Sequence, residues 1–217
     1  MTSSSLILNP KSKYCDPVKA SVKAGYEDHY WSEDVVHMEL NSRDVTERVH
    51  KMNRSAEAIV DFLRSRTVSV QRPEEQENLV IKEVYYPKWI TRHQYDFCRR
   101  GSSQHVERSG VTPPSREGGY SMLFSITFIS DFASATFYDA LDVAKGPSLG
   151  TNFTLCCPYT ILGHPFELEW AAGHGVEQGL VRVSVGLEDT DMLLSLFREA
   201  LTKTENAVRS QLITSAS

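Results

Sequence analysis

Gly179-Leu-Val-Arg-Val-Ser-Val-Gly-Leu-Glu-Asp189 is a valine-rich run with a single arginine inside it, followed at once by an amphipathic stretch. Strand alternation places Val181, Val183, Val185 and Leu187 on one face, with Arg182, Ser184 and Gly186 on the other. The valine face reads as core. The second face sets a permanent cation beside a hydroxyl and a residue without a side chain, which is expected to leave room for a small anion. A guanidinium can hold a carboxylate there in two parallel hydrogen bonds. A strand arginine also serves solvated faces and structural ion pairs, and the residues alone leave these readings open.

Outward from this run, periodicity organises the rest of the chain. Leu6 to Trp31 reads as an irregular stretch rich in aromatics and acids. Asp44 to Arg66 is expected to be a helix, because Val45, Val49, Met52, Ala56, Ile59, Val60 and Leu63 recur at helical spacing. Strands are expected at Leu79 to Tyr86 (stopped by Pro87), Tyr120 to Ile129, Asn152 to Cys157 and Leu180 to Leu187. Ser130-Asp131 should cap a short helix that packs Phe132, Ala135 and the Tyr138–Leu141 region inward. A last helix starts at Asp189 or Thr190, with Leu193, Leu196, Phe197, Ala200 and Leu201 as its apolar stripe and Asp191 near its positive end. Between Tyr95 and Gly119 the density of Pro, Gly and Ser marks a mobile loop. Strands with helices over one face point to an α+β fold rather than a doubly wound sheet.

Composition narrows the function classes. The 217 residues are 41% hydrophobic and 24% charged, sufficient for a real core, and no apolar run approaches the roughly 20 residues that cross a bilayer. A net charge of −5 argues against a nucleic-acid surface. Cys15, Cys98, Cys156 and Cys157 form neither a CxxC pair nor a disulfide ladder, so a reducing cytoplasm is expected, with Cys156 and Cys157 as buried strand thiols. The sequons at Asn53 and Asn152 then carry no meaning. The histidines lack metal-ligand spacing, and no metal site is expected. His164 and His174 lie nearest to the arginine strand, with nothing beside them that marks a tuned acid or base.

The arginine run resembles the "GLIRLSVGIED" signature that precedes the last helix in the pyridoxal-phosphate-dependent Cys/Met-metabolism (transsulfuration) enzymes. Lys145-Gly-Pro-Ser-Leu-Gly150 is similar to the family's "SLGG" segment, with Thr151 in place of the second glycine. Tyr26-Glu-Asp-His-Tyr-Trp31, Asn41-Ser-Arg-Asp44, Val84-Tyr-Tyr-Pro-Lys-Trp89, Cys157-Pro-Tyr-Thr-Ile-Leu162 and Glu169-Trp-Ala-Ala172 resemble the fungal cystathionine γ-synthase branch. The resemblance implies the C-terminal small α+β domain of a fold-type-I pyridoxal enzyme, a mixed or antiparallel sheet with helices on one face, preceded by a connecting helix. On that reading residues 1–43 are a remnant of the large cofactor domain, 44–78 the connecting helix and linker, and 79–217 the C-terminal domain with a loop at 95–119.

By resemblance, Arg182 and Ser148 hold the α-carboxylate of an amino-acid substrate of the O-acyl-homoserine type. The implied reaction is γ-replacement, in which pyridoxal phosphate stabilises the carbanions and a thiol adds, in primary metabolism or a fungal secondary-metabolite pathway. In the family the Schiff-base lysine lies shortly upstream of the segment that Leu6-Ile-Leu-Asn-Pro10 resembles, and Lys11, Lys13 and Lys19 match no catalytic position. The expectation is therefore no catalytic or cofactor-holding residue in this chain, and no pyridoxal phosphate bound by it alone. The alternative is a truncated, non-catalytic paralogue or half-protein. Uncovered apolar side chains around Val49, Met52 and Phe132 would then drive self-association, or a complex with a full-length relative.

Overall fold

The computed structural model describes residues 7–71, 79–98 and 118–215. The chain divides into two compact units, Met1–Thr46 and Glu47–Ser217. The first holds helices α1 (Cys15–Gly25) and α2 (Ser32–Ser42). The stretch from Leu6 to Trp31 is thus not irregular throughout, as its composition suggested. Pro17 is accommodated because it falls in the first turn of α1, where backbone N–H groups have no intrahelical acceptor to lose. Asp16 at that end and Lys23 in the last turn both suit the helix dipole.

The division falls within the first turn of α3 (Val45–Arg64). Along the second unit follow β1 (Ile81–Tyr85), α4 (Arg92–Cys98), β2 (Leu123–Phe128), α5 (Asp131–Ala140) and β3 (Ala144–Lys145). Next come β4 (Leu155–Pro158), α6 (Tyr159–Gly163), α7 (Leu168–Gly173), β5 (Val181–Ser184) and α8 (Thr190–Ser215). Most of the loop expected at 95–119 lies outside the described residues. Its first residues instead close α4, where Arg92 pairs with Asp96 one turn on.

The strands form one mixed sheet in the order β1-β2-β5-β4-β3. Central β5 is antiparallel to both neighbours, with Phe124, Val183 and Cys156 aligned across three strands, and Ser125, Arg182 and Cys157 aligned one step along. The first row belongs to the core, together with Ile126, Phe128, Val181 and Val185. Ala56, Ile59, Val60 and Leu63 of α3, Ala133 and Phe137 of α5, and Leu193, Phe197, Ala200 and Leu201 of α8 join the same cluster. Phe197 links the layers, its ring 6.1 Å from Phe124 and 6.2 Å from Phe137. The α+β reading holds.

Two helix faces differ from expectation. Ser130 does cap α5, its Oγ accepting from the Ala133 N–H at 3.2 Å. That cap fixes the phase so that Ala133, Ser134, Phe137 and Leu141 turn inward, whereas Phe132 and Ala135 are exposed. Phe132 therefore matches the uncovered apolar surface anticipated for it. Met52 does not, because it is 3% exposed.

Gly186 is also misread by alternation alone. It opens no space: a Cβ there would lie 2.5 Å from the Phe153 backbone and from the Glu188 carboxylate. The Gly186 N–H donates to Thr154 Oγ1 at 3.0 Å, and that hydroxyl donates to Glu188 at 2.9 Å. The glycine is needed for close backbone approach. Gly186→Ala should therefore cost about 1–3 kcal/mol of stability through overpacking. A lowered urea midpoint with an unchanged m-value checks this, and an unchanged midpoint contradicts it.

Candidate functional site

β5 delivers Arg182 to the sheet face opposite the buried valines, and the side chain is half-buried there. Its guanidinium Nη2 donates to the Pro147 carbonyl at 2.5 Å, and its Cζ lies 4.9 Å from the centre of the Tyr159 ring. Among the described residues no carboxylate pairs with it. Nη1 and Nε are left for another acceptor, and a guanidinium presents its donors in a fixed planar fork.

Ser184 lies two residues further along the same face and is 2% exposed. Its Oγ accepts from the Gly150 N–H at 3.1 Å. Gly150 has φ +69°, a left-handed turn conformation that favours glycine. Arg182 and Ser184 thus grip both ends of one loop, at Pro147 and at Gly150. Exposed Ser148 stands between those two points. The structure brings the two sequence candidates into one neighbourhood, joined through the Pro147 carbonyl. Thr151, where the resemblance expects glycine, closes a small turn by donating to the Phe153 carbonyl at 2.6 Å.

Of the histidines considered, His164 bonds Glu167 through Nδ1 at 2.7 Å and meets the Tyr159 ring edge-on at 5.8 Å. His174 bonds the Trp170 carbonyl at 2.8 Å and packs on that indole at 4.3 Å. Both are held by local partners. Cys157 is aligned with Arg182 across the strands but is buried, as is Cys156. Burial pushes the Cys156 thiol up to about 12, which keeps it protonated and poorly nucleophilic at neutral pH. Tyr159 is the residue that periodicity missed. It follows the strand residue beside Arg182 by two positions, a relation visible only once the β4–β5 register is known.

Pyridoxal phosphate asks the protein for a lysine that forms an imine and a partner for its ring nitrogen. Four described lysines of the second unit are already engaged, and the fifth, Lys203 on α8, is exposed. Lys51 donates to the Leu187 carbonyl, Lys82 to Glu177, Lys88 to Glu57 and Asp61, and Lys145 to the carbonyls of Tyr138 and Leu141. The hydrogen bond and charge of Glu177 raise the pKa of Lys82. Burial pulls Lys88 down, but its bonds to Glu57 and Asp61 outweigh that and leave it raised. A raised ammonium is the opposite of what a nucleophilic lysine needs. These four lysines do not fit the imine that the cofactor needs. Among the described residues, no group of three His, Cys, Asp or Glu side chains is placed to hold a metal, and no helix is long and apolar enough to cross a membrane.

The chain is 51% identical over 197 residues to the cystathionine gamma-synthase-like enzyme iboG2 of Amanita muscaria, covering 91% of this chain and 30% of that protein. It is 40% identical over 195 residues to cystathionine gamma-synthase of Neurospora crassa, covering 90% and 27%. Cystathionine gamma synthase from Xanthomonas oryzae pv. oryzae, solved in complex with cystathionine, superposes with a TM-score of 0.56 at 20% identity, over 76% of this chain and 36% of that one. That likeness concerns the fold. No family model matches the chain. The chain is homologous to the fungal cystathionine γ-synthase-like proteins over nearly its whole length, matches their C-terminal part, and spans about a third of the length of the curated relatives it matches.

The two-point grip on the Ser148 loop has a direct check. Ser184→Ala removes the acceptor of the Gly150 N–H, a hydrogen bond worth about 0.5–1.5 kcal/mol. Amide exchange at Gly150 should accelerate by about 2- to 10-fold. An exchange rate equal to that of the unaltered chain would mean that Ser184 does not hold the loop.

Proposed function

We infer from this kinship that the chain supplies the substrate-recognition part of a cystathionine γ-synthase-like protein, with Arg182 and Ser148 holding the α-carboxylate of an amino acid. The observation that carries this reading is the state of Arg182. It is half-buried, pinned to the Ser148 loop and without a carboxylate partner among the described residues. A cation in that condition is stabilised by an arriving anion, and the planar fork favours a carboxylate bound through two hydrogen bonds. The Ser148 hydroxyl adds a further donor from the loop that Arg182 itself steadies.

The proposed substrate class is an O-acyl-homoserine and the proposed reaction a γ-replacement, as the family resemblance implies; the names of the cystathionine gamma-synthase relatives are consistent with it. The engaged lysines favour a division of labour in which a lysine-bearing domain outside the described residues holds the cofactor, in the same polypeptide or in a partner. Self-association, or association with a full-length relative, belongs to the same reading. The exposed Phe132 supports it, although Met52 does not contribute. A cytoplasmic setting also belongs to it, with Cys15, Cys98, Cys156 and Cys157 all as free thiols.

Titration of the chain with O-acetyl-L-homoserine tests recognition. Arg182→Lys keeps the charge and loses the fork, so affinity should fall about 10-fold or more, as expected for a charge-assisted bond worth about 1.5–3 kcal/mol. Ser148→Ala should weaken binding by a smaller factor, about 2- to 10-fold. Equal affinity in Arg182→Lys returns the residue to a structural role.

The cofactor side has a separate check. Borohydride reduction of the chain mixed with pyridoxal phosphate, followed by peptide mass spectrometry, should give no stoichiometric pyridoxyl label on a single lysine. Such a label would identify an imine-forming lysine here and remove the need for a partner domain.

A further inference from the structure

We propose that Tyr159 is the positioning residue for Arg182, so that carboxylate recognition at this site depends on an aromatic face as well as on a cation. The inference rests on the carboxylate reading of Arg182 and extends it to a residue with no assigned role. An arginine side chain is long and flexible, and a single hydrogen bond to the Pro147 carbonyl fixes one nitrogen without fixing the guanidinium plane. The Tyr159 ring supplies that second restraint, with the guanidinium carbon 4.9 Å from its centre.

Tyr159 is itself firmly built in. Its N–H donates to the Leu180 carbonyl at 3.0 Å, tying the end of β4 to the start of β5. The neighbouring Thr160 is fully buried, and its hydroxyl donates to the Glu177 carbonyl at 2.7 Å. The absence of a side chain at Gly163 leaves the ring its place, since a Cβ there would meet it at 3.6 Å, and His164 packs against it in an edge arrangement. His164 is in turn bonded to Glu167 at 2.7 Å. A ring tethered through its backbone and flanked by His164 keeps a fixed attitude, and the cation over it inherits that attitude. Orientation settled before the ligand arrives lowers the entropy cost of binding.

The test uses the full chain with 15N-labelled arginine. The Arg182 Nε–Hε signal is identified by its loss in Arg182→Lys. It should be ordered in the heteronuclear NOE, and the side-chain protons displaced by the ring current. Tyr159→Phe should preserve both features. Tyr159→Leu and Tyr159→Met, two independent non-aromatic variants, should abolish both and weaken O-acetyl-L-homoserine binding about 3- to 10-fold, while Tyr159→Phe recovers most of that loss. The proposal is overturned if the unaltered chain shows no ring-current displacement at Arg182, if the non-aromatic variants keep Arg182 ordered, or if Tyr159→Phe loses as much as Tyr159→Leu. The spectroscopic arm needs no ligand, so the two readings fail separately. Absence of binding by the unaltered chain, with Arg182 order still dependent on the ring, rejects the carboxylate reading and leaves the orienting role in place.

Discussion

The position of β5 at the centre of the sheet governs both the core and the candidate site. Antiparallel pairing on each side assigns every residue of the strand to one face. Val181, Val183 and Val185 are sealed against α3, α5 and α8, so the strand cannot slip by one residue without moving its valines into the open and its arginine into the core. Arg182 and Ser184 are placed as a consequence. The helices packed on the valine face are what hold Arg182 in register, because their packing specifies the strand that carries it.

A half-buried arginine without an acidic partner carries a desolvation cost. Here it is offset in part by one carbonyl and one aromatic face, which solvate the cation without neutralising it. The lysines present the contrast. Lys82 and Lys88 are satisfied by carboxylates, and Lys145 by two carbonyls. Lys82, Lys88 and Lys145 thus spend their charge in structural bonds, whereas Arg182 keeps donors to spare. That partition suits recognition of a carboxylate.

Much of this was legible in the sequence wherever a period ran long enough. The helical spacing from Val49 to Leu63, the last helix and the alternation around Arg182 each have enough repeats to fix both type and face, although Val45, counted on the same stripe, is exposed. Ser130 was legible as a cap because its chemistry is local. Shorter signals failed. The stretch containing α1 looked irregular, and the inward face of α5 was misassigned, since a helix of that length offers few repeats. Gly186 appeared to leave space because nothing in a linear pattern reveals that Phe153 returns against it. Ser184 was legible as a hydroxyl beside Arg182, but its hold on Gly150 was not, and Tyr159 escaped for the same reason, as these partners come from a loop and a neighbouring strand connection. Resemblance supplied Ser148, whose solvent exposure and lack of periodic context give no physical signal of their own.

The most direct test of the central claim is a crystal structure of the chain soaked with O-acetyl-L-homoserine. The account predicts the α-carboxylate on the guanidinium of Arg182 in two hydrogen bonds, with the Ser148 hydroxyl on the same group and the Tyr159 ring still beneath the cation. A ligand carboxylate bound at any other cation, with the space beside the Arg182 guanidinium filled only by water, would contradict it.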